Sequence, residues 1–282
     1  MPPQLAATEQ HRSRSVSLDL DSPELASTYD QVSVRQFNHG KVLISSLAIK
    51  PGERVLDVGC GTGRLGDYVA ELVGPSGSVI GVDPLPLRVE LAGRKHARFS
   101  TRVGRAEDLS AFESNQFDVV YLNSVFHWVE NKAVALREAW RVLAPGGRIG
   151  VNSADAERSH QGAALVREAV LEEGLARQSD AQDAQVGTNF RVSAAQLQAL
   201  LVEAGFSDVT VTSHTFVDDV AGADDLFAWS SSSSFGNFLS DLNSDERFRV
   251  RERLERKLEQ LRARDRSLRL ERYLVFANAR KR

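Results

Sequence analysis

Cysteine is nearly absent: the 282 residues contain one, Cys60. That excludes an internal disulfide framework and any metal site built from several thiolates. Position 60 also lies inside a glycine run, where the backbone is the working group, so its sulfur reads as a small side chain in a tight turn. No His/carboxylate cluster has metal-ligand spacing, and no metal is expected. Long apolar runs are missing as well. No stretch approaches the ~18 residues needed to span a bilayer, and the polar segment Met1–Ser22 has no apolar centre for a secretory signal. Glu9, Asp19 and Asp21 interrupt it, which disfavours a transit peptide. A cytoplasmic protein with a loose tail over residues 1–22 is the expectation. Charge of one sign is not in excess either: 35 Lys and Arg stand against 38 Asp and Glu, a net −3. No global field would recruit nucleic acid or anionic lipid.

What is present is an ordinary globular composition, 42% hydrophobic and 26% charged, long enough for one large domain or a domain with insertions. Residues 23–49 carry apolar positions at helical spacing and end at Lys50-Pro51-Gly52. Short apolar strands then alternate with helical stretches. Strands are predicted over Arg54–Val58, Ser78–Asp83, Arg98–Arg105, Phe117–Asn123 and Arg148–Asn152. Helices fall between them near Arg64–Leu72, Pro86–Lys95 and Lys132–Leu143, the last stopped by Ala144-Pro145-Gly146-Gly147. This alternation implies βαβ units and a parallel sheet with helices on both faces. A helix over Ser193–Ala204, capped by Ser193, and strands over Asp208–Phe216 and Leu268–Asn278 complete a doubly wound sheet of about seven strands.

Two stretches interrupt the alternation, 157–189 and 218–266. Helices inserted after the carboxyl ends of parallel strands commonly cover a ligand crevice, and the domain is expected to span 23–282 with 23–49 as a helical cap and these two segments as lids. The serine run Ser230–Ser234 reads as a flexible loop. Within Asp245–Arg266 an apolar stripe of Val250, Leu254, Leu258 and Leu261 is surrounded by charges of both signs, a solvated helix packed by one face rather than a nucleic-acid stripe.

The chemistry lies in Val55-Leu56-Asp57-Val58-Gly59-Cys60-Gly61-Thr62-Gly63-Arg64. A buried strand ends, a glycine turn follows, and a helix begins. Glycine permits positive φ and lets a ligand lie against the backbone, and the helix start presents N–H groups to an acceptor such as a carboxylate. The letters also satisfy the dinucleotide pattern GxGxxG, a weak signal by itself. Asp57, just before the turn, would repel a pyrophosphate and suit a cationic amino-acid moiety. Asp83, at the end of the second strand, can accept both hydroxyls of a ribose.

With the turn Ala106-Glu107-Asp108 after the third strand, the chain from about Tyr29 to Asn152 resembles the class I S-adenosylmethionine-dependent methyltransferases, in particular quinone-biosynthesis C-methyltransferases and small-acid O-methyltransferases. The Leu143–Gly147 turn recurs in that family. The resemblance implies a Rossmann-like seven-stranded sheet with its last strand antiparallel and S-adenosylmethionine as cofactor. It carries the cofactor contacts onto Asp57, Gly59, Cys60, Gly61, Thr62, Gly63, Asp83, Pro84, Ala106, Glu107, Asp108 and Asn123, with Asp108 as the adenine's acid. A His-Trp or Gln-Trp pair like His127-Trp128 follows the fourth strand in several acid methyltransferases. His127 is therefore a candidate general base, an orienting group for an acceptor oxygen, or a packed ring. Tyr29, Gln36, His127 and Trp128 are the candidate substrate residues.

Departures narrow the reaction. No Asn-Pro-Pro-Tyr motif of amino-group methyltransferases follows strand four, and arsenite methyltransferases, similar in the core, need several cysteines. The expected acceptor is a small molecule, methylated on a hydroxyl or carboxyl oxygen, with a quinone-like carbon as the alternative. A nicotinamide oxidoreductase and a non-catalytic cofactor-binding regulator are the other open readings. The chain is expected to act as a monomer or a homodimer.

Overall fold

Ser22 opens the first helix by accepting the Leu25 N–H on its hydroxyl at 3.2 Å, and Pro23 occupies the first turn, where its missing N–H costs nothing. In this computed structural model residues 22–175, 190–232, 239 and 242–282 are described. The expected tail, the end of the 157–189 segment and part of the serine run lie outside them. The single helical stretch read at 23–49 is two helices, α1 (Pro23–Val32) and α2 (Val34–Leu47), meeting at Ser33.

The sheet follows the expected alternation. Strand β1 (Arg54–Val58) leads to α3 (Arg64–Val73), β2 (Ser78–Asp83) to α4 (Pro86–Lys95), then β3 (Ser100–Val103) and β4 (Phe117–Asn123). Helix α5 (Lys132–Val142) joins β4 to β5 (Leu143–Ala154). Helix α6 (Gln161–Glu172) and α7 (Ala194–Glu203) precede β6 (Ser207–Asp219). Helices α8 (Ala223–Ser232) and α9 (Ser244–Asp265) come before β7 (Arg269–Arg280). The seven strands run in the order β3-β2-β1-β4-β5-β7-β6. β1 to β5 pair in parallel, and β7 lies antiparallel between β5 and β6. Strand order reverses at β1, which pairs with β2 on one side and β4 on the other, and ligands of such sheets bind outside the carboxyl ends at that switch point.

Three elements differ from the sequence reading. β3 is shorter than predicted. β5 starts five residues early, at Leu143 rather than Arg148: Leu143 pairs with Phe117 and Arg148 with Val119, so Ala144-Pro145-Gly146-Gly147 is an irregularity inside the strand. Lys281 locks it, donating from Nζ to the carbonyls of Leu143 at 2.7 Å and Trp140 at 2.8 Å. Ser230 to Ser232 close helix α8 rather than forming a loop. Ser232 is 2% exposed, and its hydroxyl donates to the Trp229 carbonyl.

Burial separates three apolar clusters. One face of the sheet packs Leu56, Val120 and Val151 against α5 and α7; the other packs Val55, Val119 and Tyr121 against α2 and α3. The third lies away from the sheet centre, where Val166 of α6, Leu226 of α8 and Val250, Leu254 and Leu258 of α9 meet. The two added segments therefore share a core of their own beside the carboxyl end of β5 and the amino end of β7. Among the described residues no helix is long and apolar enough to cross a membrane.

Candidate active site

The turn after β1 is tied to β2. Gly59 and Cys60 both donate N–H to the Val82 carbonyl, at 2.7 and 3.0 Å, and Gly61 donates to Asp83 Oδ2 at 2.9 Å. Asp83 Oδ1 accepts the Leu85 N–H at 3.0 Å. Asp83 is buried, so it holds the glycine turn as well as facing the cleft, and a carboxylate has lone pairs left for further donors. Gly59, Gly61 and Gly63 all have positive φ. A Cβ on Gly59 would stand 2.1 Å from Val125 Cγ2, and one on Gly61 would be 3.2 Å from Tyr29 Cε1. The backbone thus comes as close to its neighbours as glycine allows.

After β4 the chain turns at Ser124, whose φ of +58° is left-handed. Asn152 of β5 secures the turn. Its side chain accepts the Ser124 N–H at 2.6 Å and donates to Asn123 Oδ1 at 2.6 Å. Asn123 donates in turn to the Gln36 carbonyl of α2 at 3.1 Å. A short 3-10 turn, Phe126–Trp128, follows and presents His127 and Trp128.

These loops border a cleft of about 200 Å³. Tyr29, Gln36, Asp83, Asn123, His127 and Trp128 line it, as do Gly59, Pro84, Ala106 and Glu107. A smaller cavity of about 30 Å³ opens below the glycine turn and shares Tyr29, Gln36, Gly59 and Asn123 with the cleft. Asp57, Cys60 and Thr62 line this second space. Asp57 therefore faces the small cavity rather than the main cleft. Gly61, Gly63 and Asp108 line neither. Gly63 opens α3 against Phe99 and His96. Asp108 is exposed, and its Oδ1 accepts the Ser110 N–H at 3.1 Å; the Ser110 side chain first, with that N–H, holds its carboxyl below the usual range. Of the Ala106-Glu107-Asp108 turn, Glu107 is the acid that meets the cleft.

Two buried acceptors in the small cavity lack donors, Asp57 Oδ2 and Gln36 Oε1. An unsatisfied buried acceptor costs ~1–3 kcal/mol, more when charged. Burial pushes the Asp57 carboxyl up to about 7; the Tyr121 hydroxyl beside it opposes that shift, and the charge of Asp83 adds to it. The Tyr121 hydroxyl faces that carboxyl without closing a well-formed hydrogen bond to it.

His127 is 8% exposed. Its Nδ1 accepts the Ala154 N–H at 3.3 Å, which leaves the proton on Nε2. Burial, with the charges of Arg191, Lys132 and Arg272, lowers its pKa to about 3. Of the three readings of His127, this favours the orienting group over the general base. At neutral pH the ring is uncharged and its Nε2–H is a donor, so it can orient an acceptor but is poorly set to take its proton.

The sequence reading missed the far wall. Arg158 and His160 from the loop before α6, Arg191 before α7, Trp229 of α8 and Arg272 of β7 all line the cleft. Asp218 organises part of it. Arg272 donates to Asp218 Oδ2 at 2.9 Å through Nε and 2.8 Å through a terminal nitrogen, and His160 Nε2 lies 3.4 Å from the same oxygen. Those partners hold the Asp218 carboxyl far below the usual range against the cost of its burial. Nothing in the residue order singled these positions out: Arg272 itself follows Arg269 and Glu271, just before the apolar run Tyr273–Ala277.

Comparison with known proteins agrees with the geometry. A family model described as a methyltransferase domain matches residues 56–151. The arsenite methyltransferase of Aquipseudomonas alcaligenes is 36% identical over 147 residues, 48% of this chain and 42% of that protein. The nocamycin O-methyltransferase of Saccharothrix syringae is 39% identical over 134 residues, 45% of this chain and 47% of its own length. The chain thus spans under half the length of these two relatives. Among solved structures, the YcgJ protein of Bacillus subtilis superposes with a TM-score of 0.57 at 18% identity, covering 87% of this chain and 98% of that one.

Proposed function

We propose that the chain transfers a methyl group from S-adenosylmethionine to an oxygen of a small molecule, a reading supported by the methyltransferase-domain match over residues 56–151. The observation that carries the cofactor assignment is the pair of buried acceptors without donors, Asp57 Oδ2 and Gln36 Oε1, lining one small cavity. A pyrophosphate offers them only repulsion, whereas an α-ammonium supplies three donors and a charge. Asp83, at the end of β2, and Glu107 would take the ribose and the adenine side. When bound, the cofactor supplies an electrophilic methyl on a sulfonium, and an acceptor oxygen's lone pair forms the C–O bond as the C–S electrons return to sulfur.

The chain's own residues then have mainly to align and dehydrate. Near-attack positioning can account for ~7–11 kcal/mol of such a barrier. Tyr29, Trp128 and Trp229 wall the reacting space, and the His127 Nε2–H holds the acceptor. A carboxylate brings no proton, and a hydroxyl would release its own to solvent. Arsenite is a poor fit for the acceptor, because the only cysteine, Cys60, is buried in the glycine turn.

Calorimetry tests the assignment. S-adenosylhomocysteine should bind at micromolar or tighter affinity and NAD should give no heat; the reverse pattern overturns it. Asp83→Ala should weaken the thioether roughly ten- to hundredfold, since hydrogen bonds to a charged group contribute ~1.5–3 kcal/mol. An unchanged dissociation constant in a folded variant would leave Asp83 a loop tie only.

His127 has a separate test. Its ring signals in an NMR titration should not move between pH 5 and pH 8, as a pKa of about 3 requires. His127→Gln should slow turnover two- to tenfold, the worth of one neutral hydrogen bond of ~0.5–1.5 kcal/mol, with cofactor affinity unchanged. A midpoint near the unperturbed ~6.5, in ring shifts or in rate, would restore the base.

A further inference from the structure

The cleft is electrically lopsided. Its two lining acids, Asp83 at the end of β2 and Glu107 after β3, share the end where the proposed cofactor lies with Arg88 and Arg105, so charges of both signs meet there. The opposite end is walled by Arg158, Arg191 and Arg272, and among the described lining residues no carboxylate stands there. Arg272 is matched behind the wall by Asp218. Arg158 is different. Its guanidinium lies 4.3 Å from the Tyr273 ring centroid, its contact to Asp155 Oδ2 is a loose 3.4 Å, and its side chain is 43% exposed. Arg191 faces the charge of the same Asp155 and, against it, that of Arg167. The imidazole at this end agrees: the charges acting on His127 are all cationic, and it presents Nε2–H. His160 accepts the Ala163 N–H on Nδ1 at 2.9 Å, so its own Nε2–H is directed to Asp218. Charge and hydrogen-bond polarity thus run the same way, towards donors.

We infer that the methyl acceptor is an anionic small molecule, anchored by an oxyanion at the wall formed by Arg158 and Arg191. A guanidinium fork suits a carboxylate or a phosphoryl group alike. The anchor sits across the cleft from the glycine turn, so the acceptor's body would bridge the wall and the reacting methyl beside His127. A cationic acceptor would be repelled by this wall, and a purely apolar one would desolvate its charges without compensation. The inference deepens the proposed function and rests on it for the word acceptor, but the anion site itself can be tested independently.

Benzoate, inorganic phosphate and, as a cationic counter-probe, benzylamine are titrated by NMR into the full chain, alone and with saturating S-adenosylhomocysteine, at low ionic strength so that screening does not hide the effect. At least one anion should bind at least fivefold more tightly than benzylamine. Benzoate ahead of phosphate marks a carboxylate acceptor; the opposite order marks a phosphoryl one. Arg158→Met and Arg191→Met should each weaken the preferred anion at least fivefold, whereas Arg94→Met, on the exposed face of α4, should not. Should Arg191→Met fail to fold, Arg158→Met, at a partly exposed site, carries the test alone. Equal anion binding in wild type and variants, or preference for benzylamine, overturns the inference. Thioether binding with no anion binding overturns this inference alone; anion binding without thioether binding overturns the proposed function and leaves the wall standing.

Discussion

Asp57→Asn should lower the affinity for S-adenosylhomocysteine by two to three orders of magnitude while making the ligand-free protein more stable. The two effects have one cause. The carboxyl is 2% exposed and one of its oxygens has no donor. Removing one partner of a buried charge pair costs ~3–5 kcal/mol, which is the loss expected once an ammonium has lost its carboxylate. Without ligand, the same carboxyl is a liability. Its folded pKa, about 7, stands above its ordinary 3.8. A raised pKa means that the group's stabilising contribution is complete below about pH 4 and is lost as pH climbs through about 7. Thermal unfolding of wild type and variant should therefore coincide near pH 4 and diverge by pH 8, with the variant the more stable by a few kcal/mol, the size expected of a shift of about three pKa units. Ligand affinity of the wild type should run the other way and strengthen as pH rises through about 7, because the cation selects the ionised carboxylate. Equal ligand affinity in the variant, or a pH-independent affinity in the wild type, would remove Asp57 from the site.

Gly59→Ala should fold poorly or lose about 2–5 kcal/mol of stability. The new Cβ would lie 2.1 Å from Val125 Cγ2 and 2.8 Å from Cγ1, contacts that cannot persist, at a φ of +78°. Overpacking of this kind costs ~1–3 kcal/mol and the left-handed conformation ~1–2 kcal/mol. Val125 can yield only by moving the loop that carries His127, so binding should suffer along with stability. Gly146→Ala isolates the second cost. Its φ is +77° but nothing lies within 4 Å of the added carbon, and about 1–2 kcal/mol is expected there. Denaturant unfolding of the two variants decides the matter; equal losses would show that the Val125 contact is readily relieved and the glycine serves backbone conformation alone.

The same geometry explains why the site is costly to the fold. The Ser124 turn is left-handed without glycine and is held by Asn152, which is fully buried. Asp57 and Tyr121 lie buried on β1 and β4 with polar atoms that close no well-formed hydrogen bond. Both costs fall at the switch point, the one place where two adjacent parallel strands send their loops to opposite sides.

Much of the fold was legible from the residue order because its signals are local. Alternating apolar strands and helices of fixed length force parallel pairing and its crossovers, and Pro86–Lys95 or Lys132–Val142 carry their own start and stop residues. The glycine turn and Asp83 were legible for the same reason: each residue's role follows from its distance along the chain from a strand end. What the residue order could not decide is what distant segments do to one another. For His127 the residue order left base, orienting group and packed ring open, because an isolated imidazole titrates near ~6.5; burial, the cations around it and β5, supplying the Ala154 N–H, favour a neutral donor. Asp108 and Glu107 are neighbours, and which of them faces the cleft depends on the Ser110 N–H that holds Asp108 outward. The cationic wall assembles from positions 158, 191 and 272, in three elements whose spacing along the chain holds no periodic signal; the tertiary fold brings them together because the added helices close their own apolar core beside β7.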